Sequence, residues 1–114
     1  MGEIFRGGER PSIEPCDGYE VVPLGANDLM SIGRMHFEPG VSIPEHAHPH
    51  QQLGFIYAGE LTFHVDGEAT VLRPGDGYAL AGNEPHWGEN AGEEPVAGIF
   101  VHSPPRSPTV WDAE

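Results

Sequence analysis

Lysine is absent from this 114-residue chain, whose basic residues are five arginines set against eighteen Asp and Glu, for a formal charge of −13. Such a surface repels phosphate backbones and anionic lipid, so neither nucleic acid nor a membrane surface is an expected partner. It suits a salt-rich cytoplasm and equally an ordinary acidic protein. Cysteine is nearly absent as well. Cys16 stands alone, so no disulfide can form within the chain and a cytoplasmic location is expected. The thiol reads as a small packing residue rather than a nucleophile. No apolar run approaches membrane-spanning length, and the first twelve residues, MGEIFRGGERPS, lack a stretch that would export or anchor the protein. Sustained helical periodicity is missing too.

What the chain has in quantity is punctuation. Sixteen glycines and twelve prolines recur at short intervals, as in Glu38-Pro39-Gly40, Asp66-Gly67, Arg73-Pro74-Gly75 and Glu84-Pro85. Short strands joined by tight turns follow from that spacing. The β-favouring runs are Leu29 to Phe37, Leu53 to Tyr57, Leu61 to Val65, Ala69 to Leu72, Gly77 to Leu80 and Val96 to His102. Asp66-Gly67 offers the positive φ angles of a two-residue turn, which predicts a hairpin over residues 61–72. The length supports one domain over residues 1–114. The strand count suits an all-β jelly roll with a pocket at one mouth, and the first dozen and last few residues read as extended arms.

The chemistry-bearing residues are histidines. His46 and His48, two apart in GVSIPEHAHPHQQLGFIYAG, would project from one face of a strand and reach one ion together. Gln52 follows four residues later, and GDGYALAGNEPHWGEN delivers His86 after a Gly/Asn/Pro turn. Three imidazoles and a carboxamide oxygen make a four-donor site for one divalent transition metal, and Zn, Ni, Fe, Mn and Cu all suit imidazole. With glutamine in place of a carboxylate the site keeps a formal +2 charge, which strengthens the ion as a Lewis acid towards an anionic or hydroxylated ligand. Gln51 lies on the opposite face by strand parity. Gly54 would leave room above the metal or mark a β-bulge. His50 reads as a second-shell group or spare ligand, and His36 and His64 as surface or packed strand residues. Trp87 would wall the pocket or cover a subunit contact, and Trp111 would pack an arm against the body.

These spacings resemble the two motifs of the cupins, small metal-binding β-barrels. Gly40, His46, His48 and Gly59 fall in register with the first motif, with Gln52 where the family usually has glutamate. Gly75, His86 and Asn90 fit the second, in which Ala81 and Asn83 replace a proline and a glycine. The resemblance implies a cupin jelly-roll barrel, its core at about residues 17–106. It also implies a homodimer, built through an edge sheet or an exchanged N-terminal arm over residues 1–15.

The segment Val101-His102-Ser103-Pro104-Pro105-Arg106 looks like the strand end of KdgF-type cupins, which convert 4,5-unsaturated uronates into linear keto acids. In those proteins an aspartate and an aromatic residue two positions apart precede the Ser-Pro-Pro-Arg element and face the pocket with the arginine. This chain has Phe100 and His102 there and keeps Arg106. The resemblance implies a small anionic substrate, with Arg106 clamping its carboxylate and His102 replacing the missing carboxylate in proton transfer. Two further readings stay open: a non-catalytic metal and small-molecule binding module, and a metal-dependent dioxygenase. Fold alone does not decide among them.

Overall fold

Asp66 and Gly67 take φ angles of 50° and 84°, the left-handed pair that a two-residue hairpin needs. They join Leu61–Val65 to Glu68–Leu72, paired from Leu61↔Leu72 to Val65↔Glu68, so the expected hairpin is present. The computed structural model describes residues 2–106. Its strands are β1 (Ile13–Cys16), β2 (Tyr19–Ala26), β3 (Ser31–Phe37), β4 (Gln51–Ala58), β5 (Leu61–Val65), β6 (Glu68–Leu72), β7 (Gly77–Leu80), β8 (His86–Glu89) and β9 (Val96–Ser103). Among the described residues there is no α-helix, only a 3-10 turn at Gly7–Glu9.

Two antiparallel sheets form a jelly roll. The larger runs β1-β2-β3-β9-β4-β7 and the smaller β6-β5-β8. Strand alternation turns Tyr19, Met35, Phe37, Ile56, Val96 and Phe100 of the larger sheet inward onto Leu61, Phe63 and Leu72 of the smaller. Cys16 packs against the edge of this core, as its type suggested.

Three strands were not legible in the sequence. β1 contains Pro15, β2 contains Pro23 and Gly25 with a register shift between them, and β8 has only four residues. Each is held by its neighbours rather than by propensity. The N-terminal segment also departs from the expected extended arm: Phe5 lies where a side chain on Gly25 of β2 would stand, and the Arg10 guanidinium sits 5.2 Å from the Phe5 ring centre. Trp111 lies outside the described residues.

The outer face of the larger sheet is apolar. Leu53, Phe55 and Tyr57 of β4 are 59%, 41% and 47% exposed. Leu53 pairs with Val101, and Phe55 with Ile99, on β9, while Ile32 of β3 flanks Val101. None of β3, β9, β4 and β7 contains an Asp or Glu.

Candidate metal centre

Backbone pairing brings the histidines of the two segments together. His46 and His86 form an isolated antiparallel bridge, exchanging His46 N–H to His86 O at 3.0 Å and His86 N–H to His46 O at 2.9 Å. Such a pair projects its side chains from one face. His46 and His48 therefore lie in the extended segment ahead of β4, which begins only at Gln51, and not on a regular strand as expected. One ligand atom from each of His46, His48 and His86 lies within 4.8 Å of the others.

Each of these rings is anchored through Nδ1 to a backbone carbonyl: His46 to Pro44 at 2.9 Å, His48 to His50 at 3.2 Å and His86 to Glu84 at 2.8 Å. A neutral imidazole donating from Nδ1 carries its lone pair on Nε2, so outer carbonyls set the tautomer that a metal needs. Gln52 Oε1 stands 3.1 Å from His48 Nε2 and 3.0 Å from His102 Nε2. His102 donates to this oxygen. With its proton on Nδ1, His48 opposes a lone pair to the Gln52 oxygen, two acceptors with no proton between them, and a cation resolves that conflict. The donor set fits a divalent transition metal.

Gln52 is oriented by a residue the sequence did not single out. Its Nε2 donates to the Tyr78 hydroxyl at 2.7 Å, which points Oε1 towards the imidazoles. Tyr78 and Gly54 are register partners, and a Cβ on Gly54 would lie only 2.1 Å from the Tyr78 ring. The missing side chain at position 54 therefore makes room for Tyr78 rather than for a bound ligand, and no bulge interrupts the pairing there. The sole signal was the alternation of β7, which turns Tyr78 and Leu80 the same way. Gln51 is exposed and Gln52 buried, as parity predicts.

His48, Gln52, His86, His102 and Arg106 are all buried. Burial, with Arg106 next in weight, holds the His48 pKa down to about 4 and that of His102 to about 3; burial likewise holds His86 to about 4. All three are neutral at pH 7, which for His48 and His86 is the form that ligation requires. An imidazole of near-neutral pKa, the kind best suited to proton transfer, is therefore not what His102 provides on its own. Arg106 is no surface arginine: it is 7% exposed, and its backbone N–H donates to Ser31 Oγ at 3.0 Å.

The remaining candidates separate. His50 contributes its carbonyl to His48, and its ring centre lies 5.3 Å from that of His48 and 5.8 Å from that of His102. His36 lies 3.8 Å from Glu38. His64 stacks on Trp87 at 3.7 Å and meets Glu89 at 2.7 Å, so this indole packs on a neighbouring strand. Asn90 ties loops together, donating to the Phe37 and Glu94 carbonyls. Phe100 packs its ring over Gly33, where a Cβ would approach to 2.5 Å, and lies 5.0 Å from the His102 ring centre. The interior space that Gln52, His46 and His86 line is about 20 Å³, room for about one water.

Comparison with known proteins gives the family and the fold. The chain matches the Cupin domain family over residues 33–102. It is 31% identical over 108 residues to the pectin degradation protein KdgF of Dickeya dadantii, covering 94% of this chain and 97% of the relative. In fold it is similar to an RmlC-like cupin from Shewanella frigidimarina, with a TM-score of 0.86 and 24% identity over 96% of this chain and 97% of that one. KdgF from a Halomonas species gives a TM-score of 0.86 at 22% identity over 96% of this chain and 99% of that one.

Proposed function

This chain belongs to the cupin domain family and, within it, to the group of KdgF, and on that premise we propose that it is a metal-dependent cupin acting on a carboxylated sugar or sugar-derived acid. The observation that carries the reading is the set of three imidazoles whose Nδ1 atoms are tied back to carbonyls beside the Gln52 oxygen. A divalent transition ion held by His46, His48, His86 and Gln52 would polarise a substrate hydroxyl or carbonyl as a Lewis acid.

The chain's own residues do the rest. Arg106, buried beside the site, attracts the substrate carboxylate despite the acidic surface and clamps it. His102, neutral and donating to Gln52, steadies that donor; a carboxylate bound against Arg106 offsets the second cause of its low pKa, after burial, and favours its moving a proton at the substrate. Phe100 keeps water out. The test is loss of 4,5-unsaturated monouronate in the presence of candidate metals. His102→Ala should slow that loss by roughly 10²–10⁴-fold, and His36→Ala should leave it near the wild-type rate.

One observation favours a second reading, a non-catalytic binding module. Phe100 stands where the relatives' carboxylate is expected, and it borders an interior of only about 20 Å³. Wild-type protein without activity under any metal, alongside a Phe100→Asp variant that gains it, would establish that reading over the first. Oxygen consumption with candidate substrates would instead point to a dioxygenase. A cytoplasmic location remains part of the proposal, and no helix among the described residues is long and apolar enough to cross a membrane.

We also infer a homodimer. Copies carrying −13 each repel one another except through a face without carboxylates, and the outer face around Leu53, Phe55 and Tyr57 is one. This replaces the exchanged arm, since the N-terminal segment folds onto its own β2. Light scattering should give a dimer mass, and Leu53→Asp/Phe55→Asp should give a monomer. A wild-type monomer at all concentrations would refute the inference.

A further inference from the structure

A second space lies outside the barrel interior. A cavity of about 660 Å³ opens between the N-terminal segment and the ends of β2, β3 and β9, with Phe5, Arg10, Pro23, Ile32, Phe100 and Arg106 in its wall. Phe100 borders both this cavity and the small space beside the metal donors, so the aromatic ring is the partition between them. Among the described residues the wall holds two arginines, Arg10 and Arg106, and no Asp or Glu.

Arg10 is set in place. Its Nε–H donates to the Pro23 carbonyl at 2.9 Å, and the guanidinium carbon lies 5.2 Å from the Phe5 ring centre, a stacking that fixes one face of the plane. No carboxylate pairs with Arg10 among the described residues. The terminal amino groups of a guanidinium so oriented form a fork that matches a carboxylate. Arg106 is buried at the far wall. The rest of the wall is mostly apolar, and Ser31 Oγ is already engaged with the Arg106 backbone. A ligand carrying many hydroxyls would leave them unpaired there.

We propose that this cavity is an anion-binding site, separate from the three-histidine centre, that takes a carboxylate carried on an apolar ring, with Arg10 as its main contact. A pocket of this kind recognises by a few polar groups in an apolar wall.

Benzoate titrated into the full chain by calorimetry tests this, with benzamide and galacturonate as comparison probes. Saturable benzoate binding is expected, roughly tenfold or more weaker in Arg10→Gln and only partly recovered in Arg10→Lys, which keeps the charge without the fork. Arg10 is half-buried at the surface, so both substitutions leave the core intact. Binding should persist in His46→Ala/His48→Ala, and benzamide and galacturonate should bind far more weakly. Equal affinity in Arg10→Gln, equal affinity for benzamide, tighter binding of galacturonate or loss of binding in the double histidine variant would each overturn the proposal. The last of these would assign the carboxylate to the metal and leave the metal-dependent reading of the site untouched.

Discussion

Purified protein should carry about one transition-metal ion per chain, and His46→Ala/His48→Ala should carry none. The argument is geometric. The three donor atoms already lie within 4.8 Å of one another, and three backbone carbonyls hold the rings in the required tautomer. The ion therefore binds a preorganised set, and removing two of its donors leaves His86 and Gln52 alone, too few for a closed site. Loss of second-shell support costs roughly 10–100-fold in affinity, so Tyr78→Phe, which strips the hydroxyl from Gln52, should weaken binding without abolishing it. Gln52→Glu should strengthen it by supplying a charge. Elemental analysis after dialysis reads all four proteins. Stoichiometric metal persisting in the double variant would show that other residues hold the ion.

Metal-free protein should lose stability steeply as pH falls from about 6.5 towards 4. His48, His86 and His102 are held at about 4, 4 and 3 in the fold, against about 6.5 for an unfolded chain. Between those values the unfolded state binds protons that the folded state refuses, so stability rises with pH through this window and is lost on acidification. The contribution is fully present above about pH 6.5 and falls away as the folded pKa values are approached. Each histidine accounts for a loss on the order of 1–2 kcal/mol by pH 5, and their mutual proximity makes the sum less than additive. Urea midpoints measured from pH 7.5 to 4.5 check this. Bound metal should raise the midpoint at neutral pH and lose that advantage in acid, since protons compete for the same lone pairs. A flat profile in metal-free protein would contradict buried neutral imidazoles.

The site was readable wherever its residues lie close in the chain. His46, His48 and Gln52 fall within seven residues, and their spacing and parity were enough to bring them to one side; His86 followed from the second motif. The hairpin at Asp66-Gly67 was equally local, because two residues with positive φ leave the flanking strands few other arrangements. Composition likewise carried the all-β class. The length and turn density that predicted it are properties of the chain before it folds.

Other features depended on pairings between distant segments. The His46–His86 bridge joins residues forty apart, and it moved the His-x-His pair off the strand where parity had placed it. Gly54 was open to two readings until register set it opposite Tyr78, and the burial of Arg106 depends on the sheet strands that carry the chain inward to it. The low pKa of His102 came from burial and the Arg106 charge, which no local pattern encodes. Composition and short-range spacing determined the fold class and singled out the histidines that the fold brings together, because turn geometry and side-chain alternation act over a few residues. Tertiary structure alone decided what surrounds those donors, because register across the sheets and burial set which distant side chains meet and how strongly their charges act.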